Sequence, residues 1–339
     1  MKLRIGLVGL GPEWENRYRL ALRVLSDRFT VKAVYDQVAH RARQAAREFE
    51  CDAADGFRSL AAREDVDALL LLSPQWFGSL PILAACDAQR SVYCAAPLEH
   101  DLEEIRRIKE RVDHSGVAFV TESIRRFAPA AVRLKELIAT RLGPPRLLFC
   151  HLRQEASQPN PRRLPADSLT NQSRRSELVE LVDWCRFVVG SDPSSVVGAL
   201  NVCEETGNED YAMMSLDFSG DRPAGTGPMA QISCGRYVPP GWEEAASFRP
   251  PAGLQVACEN GIAFVDLPSH LIWFDDAGRH LESLETERPV DEQLLSHFHR
   301  AVTSLVRRSS AVDDLYLAAQ IVDAARRSHQ EGKRIRLHS

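Results

Sequence analysis

Residues 3–14 read LRIGLVGLGPEW. Leu3 to Val8 is an apolar run broken by one charge, the pattern of a buried strand in a parallel sheet covered on both faces. Gly9, Leu10, Gly11 and Pro12 follow at once, and proline suits the first turn of a helix. Strand, glycine turn and helix in that order match the opening of a dinucleotide fingerprint. Gly9 permits the tight turn, and Gly11 lets backbone approach a pyrophosphate at a helix N-terminus. Two residues depart from the pattern. Pro12 offers no N–H, and Trp14 stands where a third glycine would let the helix pack closely, so the indole must displace a neighbour or point into the pocket.

Working outward, the next 110 residues or so keep alternating strand and helix. A helix is expected over 13–25, then the strand TVKAVYD, which ends at Asp36. A carboxylate there can accept hydrogen bonds from an adenosine ribose and repels a 2′-phosphate, which favours NAD over NADP. The amphipathic segment AHRARQAAREF, the strand VDALLLLS, the helix SLPILAACDA and the strand SVYC follow. Pro81 falls in a first helical turn, where it is tolerated. Asp101 and Glu104 form a capping box before a helix whose buried face is Leu102, Ile105, Ile108 and Val112 and which Gly116 ends. With VAFVTES, this rhythm predicts an α/β fold opening with a doubly wound parallel Rossmann sheet over 1–122.

After Ser123 the rhythm changes. A helix (APAAVRLKELIAT), a strand (PRLLFCHLR), a Pro-, Ser- and Arg-rich loop over 154–175 and a helix over 176–189 come first. Six strand-like runs then follow between 194 and 274, and two helices, over 291–308 and 311–331, close the chain. Neighbouring strands without intervening helices predict a second α/β domain over 123–339 with a largely antiparallel open sheet.

Composition narrows the function. The 339 residues are 44% hydrophobic and 26% charged with a formal charge of −5, which argues against nucleic acid or an anionic membrane as main partner. Apolar runs such as ALLLLS are too short to span a bilayer. The eight cysteines show no CxxC and sit mostly in apolar segments, which favours free thiols and a cytoplasmic location. His297 and His299 fall on different sides of a helix, so no metal site is expected. Trp76 and Phe77 follow the third strand, where ligands bind in such sheets, and Trp242 lies in an expected loop.

Taken together, LRIGLVGLG, VKAVYD, VDALLLLSP, the spacing to VYCAAPL, ESIRRFAPAAVRLKELI, ELVELVDWCRFVVG and DDLYLAAQIVDAARRS resemble the Gfo/Idh/MocA oxidoreductases over nearly the whole chain. That resemblance implies a nicotinamide cofactor near Gly9, Leu10, Gly11, Pro12, Asp36, Ser73, Pro74, Gln75, Ala96 and Pro97, and a sugar- or polyol-like ligand. It also implies a homo-oligomer through the C-terminal sheet. In that family the fourth strand ends Glu-Lys-Pro, the lysine meeting the nicotinamide end and the substrate hydroxyl. Here Ala95 and Ala96 precede Pro97. The family's Pro-Asn and following His correspond to Pro74, Gln75 and Gly78, and its helix acids and His to Ser176, Glu180 and Asp183, of which only Asp183 is kept. The resemblance makes these three the candidate catalytic residues, and they share one helical face. Hydride transfer from a carbinol needs a proton acceptor, and losing a positioned one costs ~10²–10⁴ in rate. Two readings stay open: an NAD(P)-linked oxidoreductase with non-standard catalytic residues, or a non-catalytic descendant kept for ligand binding or oligomer structure.

Overall fold

The structure is a computed structural model, describing residues 1–73, 77–95, 101–155, 169–202, 209–238, 242, 252–285, 288–304 and 310–337. The chain forms two units, residues 1–124 with 288–317, and residues 125–287 with 318–339. The late helix Val290–Thr303 therefore belongs to the first unit, and the helix Ser310–Glu331 gives its first residues to that unit and the rest to the second.

In the first unit, strands β1 (Leu3–Val8), β2 (Phe29–Tyr35), β3 (Asp52–Ala53), β4 (Ala68–Leu71), β5 (Ser91–Cys94) and β6 (Phe119–Thr121) form one parallel sheet in the order β3-β2-β1-β4-β5-β6. This is the doubly wound order, in which the strand direction of travel reverses between β1 and β4 and leaves a crevice at their carboxyl ends. Leu3, Ile5, Leu7 and Val8 of β1 are fully buried, as are Ala68 and Leu70 of β4, which explains their unbroken apolar runs. The capping box reading holds at its first half: Asp101 accepts from Glu104 N–H at 2.8 Å, and Gly116 closes the helix Leu102–Ser115 in the left-handed conformation.

The helix expected over 13–25 opens differently. Trp14–Tyr18 is a wide π turn, and the regular helix runs over Arg19–Val24. Trp14 is buried and its ring lies 5.7 Å from that of Phe49. The indole thus turns into the core toward the second helix of the unit, not into the pocket, and the widened turn makes room for it.

The second unit contains, among the described residues, a nine-stranded sheet. Its strands are β7 (Pro145–Glu155), β8 (Ser195–Val202), β9 (Glu209–Asp217), β10 (Met229–Val238), β11 (Leu254–Cys258), β12 (Ile262–Asp266), β13 (His270–Asp275), β14 (Gly278–Ser283) and β15 (Ile335–Arg336). Their order is β14-β13-β12-β11-β7-β10-β9-β8-β15, antiparallel except for β7 beside β10. Helices Pro129–Leu137 and Leu169–Val189 and the later part of Ser310–Glu331 cover one face. At Gly198 the sheet comes so close to this last helix that a Cβ would stand 2.2 Å from the Ala325 carbonyl oxygen. The helix expected from Ser176 starts earlier, at Leu169, and β3, β14 and β15 are strands that the sequence reading omits.

Candidate functional site

The crevice of the first unit is built by the ends of β1, β2 and β4. Gly9 and Gly11 have φ of +68° and +66°, the left-handed region that glycine enters without steric cost. Both also lack space for a side chain. A Cβ on Gly9 would stand 2.6 Å from the Phe77 ring, and one on Gly11 would stand 2.3 Å from Ser73 Oγ. Asp36, placed just past β2, turns back to this loop. Its Oδ2 accepts from Leu10 N–H and its Oδ1 from Val38 N–H, each at 2.8 Å, and the residue is only 9% exposed. Ser73, 1% exposed, presents a hydroxyl that has no hydrogen-bond partner within the described structure. The chain thus gathers Gly9, Leu10, Gly11, Asp36 and Ser73 around one turn, with Pro12 leading from it. Pro74, Gln75, Trp76, Ala96 and Pro97 lie outside the described residues.

Beside the turn stands an aromatic group that pattern reading reached only at Phe77. The Phe77 ring centroid is 5.8 Å from that of Tyr35 and 6.2 Å from that of Phe57, and Tyr35 and Phe57 are 6.3 Å apart. These three half-buried rings form an apolar wall on the β2 side of the crevice.

Toward β5 and β6, Ala95 is buried and continues the sheet through its N–H to the Leu71 carbonyl. It carries no charge, and the adjacent Cys94 thiol is pushed up by complete burial and by the field of Glu122, so it is no nucleophile. Glu122, just past β6, is held by the Arg17 guanidinium, which also bonds Asp291 at 2.8 Å. Burial opposes the Arg17 charge, but the bond to Asp291 and the field of Glu122 outweigh it and hold the guanidinium above its ordinary value. Tyr18 and Tyr93 pack edge to face beside this group, both raised by burial. Sequence reasoning misses this network, because its members come from four separate segments.

In the second unit the helix Leu169–Val189 carries Ser176, Glu180 and Asp183. Ser176 is buried. Glu180 pairs with Arg125 at 3.3 Å, and Arg175 lies near Asp323. Asp183 Oδ2 accepts from Arg126 Nε at 2.6 Å, Oδ1 accepts from the same guanidinium, and Arg186 approaches at 3.4 Å. Arg125 and Arg126 also lie over the Trp184 and Phe187 rings. The carboxylate on this face that matches the family pattern is thus engaged by two guanidinium groups.

Cys150 and Cys185 are buried between β7 and this helix, and the Cys185 thiol is raised by its hydrogen bond to Cys150 and by burial. His299 Nε2 lies 2.9 Å from the Met1 carbonyl, and its ring meets Phe29 edge to face. Among the described residues no group of three or more His, Cys, Asp or Glu is placed to hold a metal ion, and no helix is long and apolar enough to cross a membrane. Trp242 is exposed.

A doubly wound sheet with a left-handed glycine turn at its switch point defines a Rossmann-type domain, here in one chain with an open-sheet α/β unit. Residues 3–123 match the family model of the oxidoreductases with an NAD-binding Rossmann fold, Gfo/Idh/MocA. An inositol 2-dehydrogenase of Cereibacter sphaeroides is 32% identical over 197 residues, 57% of this chain and 55% of that protein. The chain thus spans about half the length of that relative. An uncharacterized oxidoreductase of Bacillus subtilis, YrbE, is 23% identical over 305 residues, 88% of this chain and 86% of its own. The solved structure of a levoglucosan dehydrogenase, in complex with NADH and levoglucosan, superposes with a TM-score of 0.82 over 100% of both chains at 16% identity, which shows a shared fold. The match to the family model is thus confined to the first 123 residues, and the likeness of the whole chain is one of fold.

Proposed function

We propose that this protein binds a nicotinamide dinucleotide, NAD in preference to NADP, and takes a sugar- or polyol-like ligand with catalytic residues other than the family's usual set. The observation that carries the reading is the pinned turn: Gly9 and Gly11 left-handed, Leu10 N–H held by Asp36, and the unpartnered Ser73 hydroxyl behind Gly11. These residues fit a pyrophosphate and its ribose, and the fixed Asp36 charge at the end of β2 disfavours a 2′-phosphate. Gly9, Leu10, Gly11, Pro12, Asp36 and Ser73 would hold the cofactor, joined through the family resemblance by Pro74, Gln75, Ala96 and Pro97. When bound, the cofactor supplies a hydride donor or acceptor.

The proton is the open half of that chemistry. Alanine at position 96 cannot take one. On the helix face of the second unit, Glu180 is the acid and Ser176 the hydroxyl that remain, since Asp183 is engaged by Arg126 and Arg186. Its contact with Arg125 favours the charged form of Glu180, which opposes its taking a substrate proton. The engagement of both acids favours a second reading, a non-catalytic member that keeps the fold for ligand binding or scaffolding.

NADH formation by a panel of polyols and aldoses separates the two. Under the first reading at least one substrate turns over, and Glu180→Gln slows it by ~10²–10⁴ while substrate affinity is kept. No turnover by wild type that binds NAD supports the second.

Homo-oligomer formation through the second sheet is part of the proposal. Leu147, Val197, Met213, Phe274 and Leu281 share the face opposite the helices and are exposed. Light scattering that gives a dimer or larger species supports it, and a monomer at micromolar concentration contradicts it.

A further inference from the structure

We propose that Asp36 is the pin of the phosphate turn: a positioning residue that shapes the backbone for a diphosphate by holding Leu10, in addition to any contact with a ribose. This rests on the dinucleotide reading above. The carboxylate spans two loops. One oxygen takes Leu10 N–H from the turn after β1, and the other takes Val38 N–H from the segment after β2. With Asp36 91% shielded from water, both bonds are charge-assisted in a low-dielectric setting, where such bonds are strong.

The turn needs such a device. Two glycines flank Leu10, and glycine has the largest conformational freedom to lose. Of the turn's own N–H groups, that of Gly9 continues the sheet by donating to the Tyr35 carbonyl, and that of Leu10 goes to Asp36. Pro12 contributes none. A free Gly-Leu-Gly turn would have to be ordered by the ligand, and its affinity would fall by the fraction of turns in the competent shape. Each Asp36 oxygen already has one donor, so a ribose can use only the lone pairs left over. A residue whose only role is to bind the ribose has no need to reach into the first loop.

The test compares wild type, Asp36→Ala and Asp36→Asn. Two probes are used, ADP-ribose, which carries the diphosphate, and adenosine, which carries the ribose without it. Binding is read by calorimetry or NMR titration, and amide exchange at Leu10 and Val38 is read without ligand. The expected result for Asp36→Ala is exchange at both amides faster by tenfold or more. ADP-ribose affinity falls at least tenfold further than adenosine affinity, whose loss reads the ribose contact alone. Asp36→Asn keeps one acceptor oxygen and falls between. It also carries the test should the alanine variant not fold. Equal losses for the two probes mean a ribose contact alone and overturn the proposal, as does unchanged exchange at Leu10. If neither probe binds wild type, the dinucleotide reading fails, and the exchange rates still decide whether Asp36 pins the turn.

Discussion

Replacing Asp183 by alanine separates a structural from a catalytic role for the acid that the chain keeps from the family's helix pattern. Its side chain is 15% exposed and faces Arg126, 20% exposed, and Arg186, 6% exposed. Two well-placed charge-assisted bonds from Arg126 would be lost, each contributing about 1.5–3 kcal/mol. The sum, about 3–6 kcal/mol, agrees with the roughly 3–5 kcal/mol lost when one partner of a buried pair is removed. The 3.4 Å approach of Arg186 adds little, because that guanidinium has Asp192 at 2.6 Å. At about 2–4 °C per kcal/mol for a domain of this size, Tm should fall by roughly 6–20 °C. The assay is urea and thermal unfolding of Asp183→Ala, Arg126→Leu and the double variant. The double variant removes both charges, so it should be less destabilised than the two singles added together, by at least about 1 kcal/mol. A Tm change under about 2 °C for Asp183→Ala, or strict additivity, would refute the reasoning and return Asp183 to the list of acids available for chemistry.

Arg17→Met leaves Glu122 and Asp291 facing each other without their shared cation, and urea unfolding should show a loss of about 3–5 kcal/mol. Gly11→Ala forces an L residue into φ +66° at a cost of about 1–2 kcal/mol and drives a methyl against Ser73 Oγ, so calorimetry should find dinucleotide binding abolished in a chain that still folds. Burial lowers His151, whose Nδ1 is 2.7 Å from Ser233 Oγ. Just below the ordinary imidazole value of about 6.5 the unfolded chain therefore binds more protons than the native one, and stability falls as pH drops through that range. His151→Gln should flatten this part of the profile in urea midpoints taken from pH 5 to 8, leaving the similar contribution of half-buried His297.

Much of the fold is legible because it is local. The run of β1 and the glycines after it state strand, turn and helix within twelve residues, and alternation does the rest for the parallel sheet. What escapes is short or long-range. Asp52–Ala53 and Ile335–Arg336 are two-residue strands with no apolar run to announce them, since neighbouring strands supply their order. The π turn over Trp14–Tyr18 follows from the packing of Trp14 on Phe49, a contact between helices that periodicity does not encode. At the site, the glycines and Asp36 can be found from their positions, but not that Asp36 reaches Leu10. Likewise Glu180 is visible as an acid on a face, while its partner Arg125 lies 55 residues away. Helix spacing places side chains on a face without saying what the rest of the fold brings to it.

The central claim is that the pinned glycine turn still receives a nicotinamide dinucleotide although Ala95 and Ala96 replace the family's charged pair. The most direct measurement is calorimetric titration of cofactor-stripped protein with NAD(H) and NADP(H). Saturable binding of NAD(H), tighter than NADP(H), is the predicted result. No heat of binding from either cofactor at millimolar concentration would contradict the account, and the protein would then have to be understood as a Rossmann-fold chain that takes no dinucleotide.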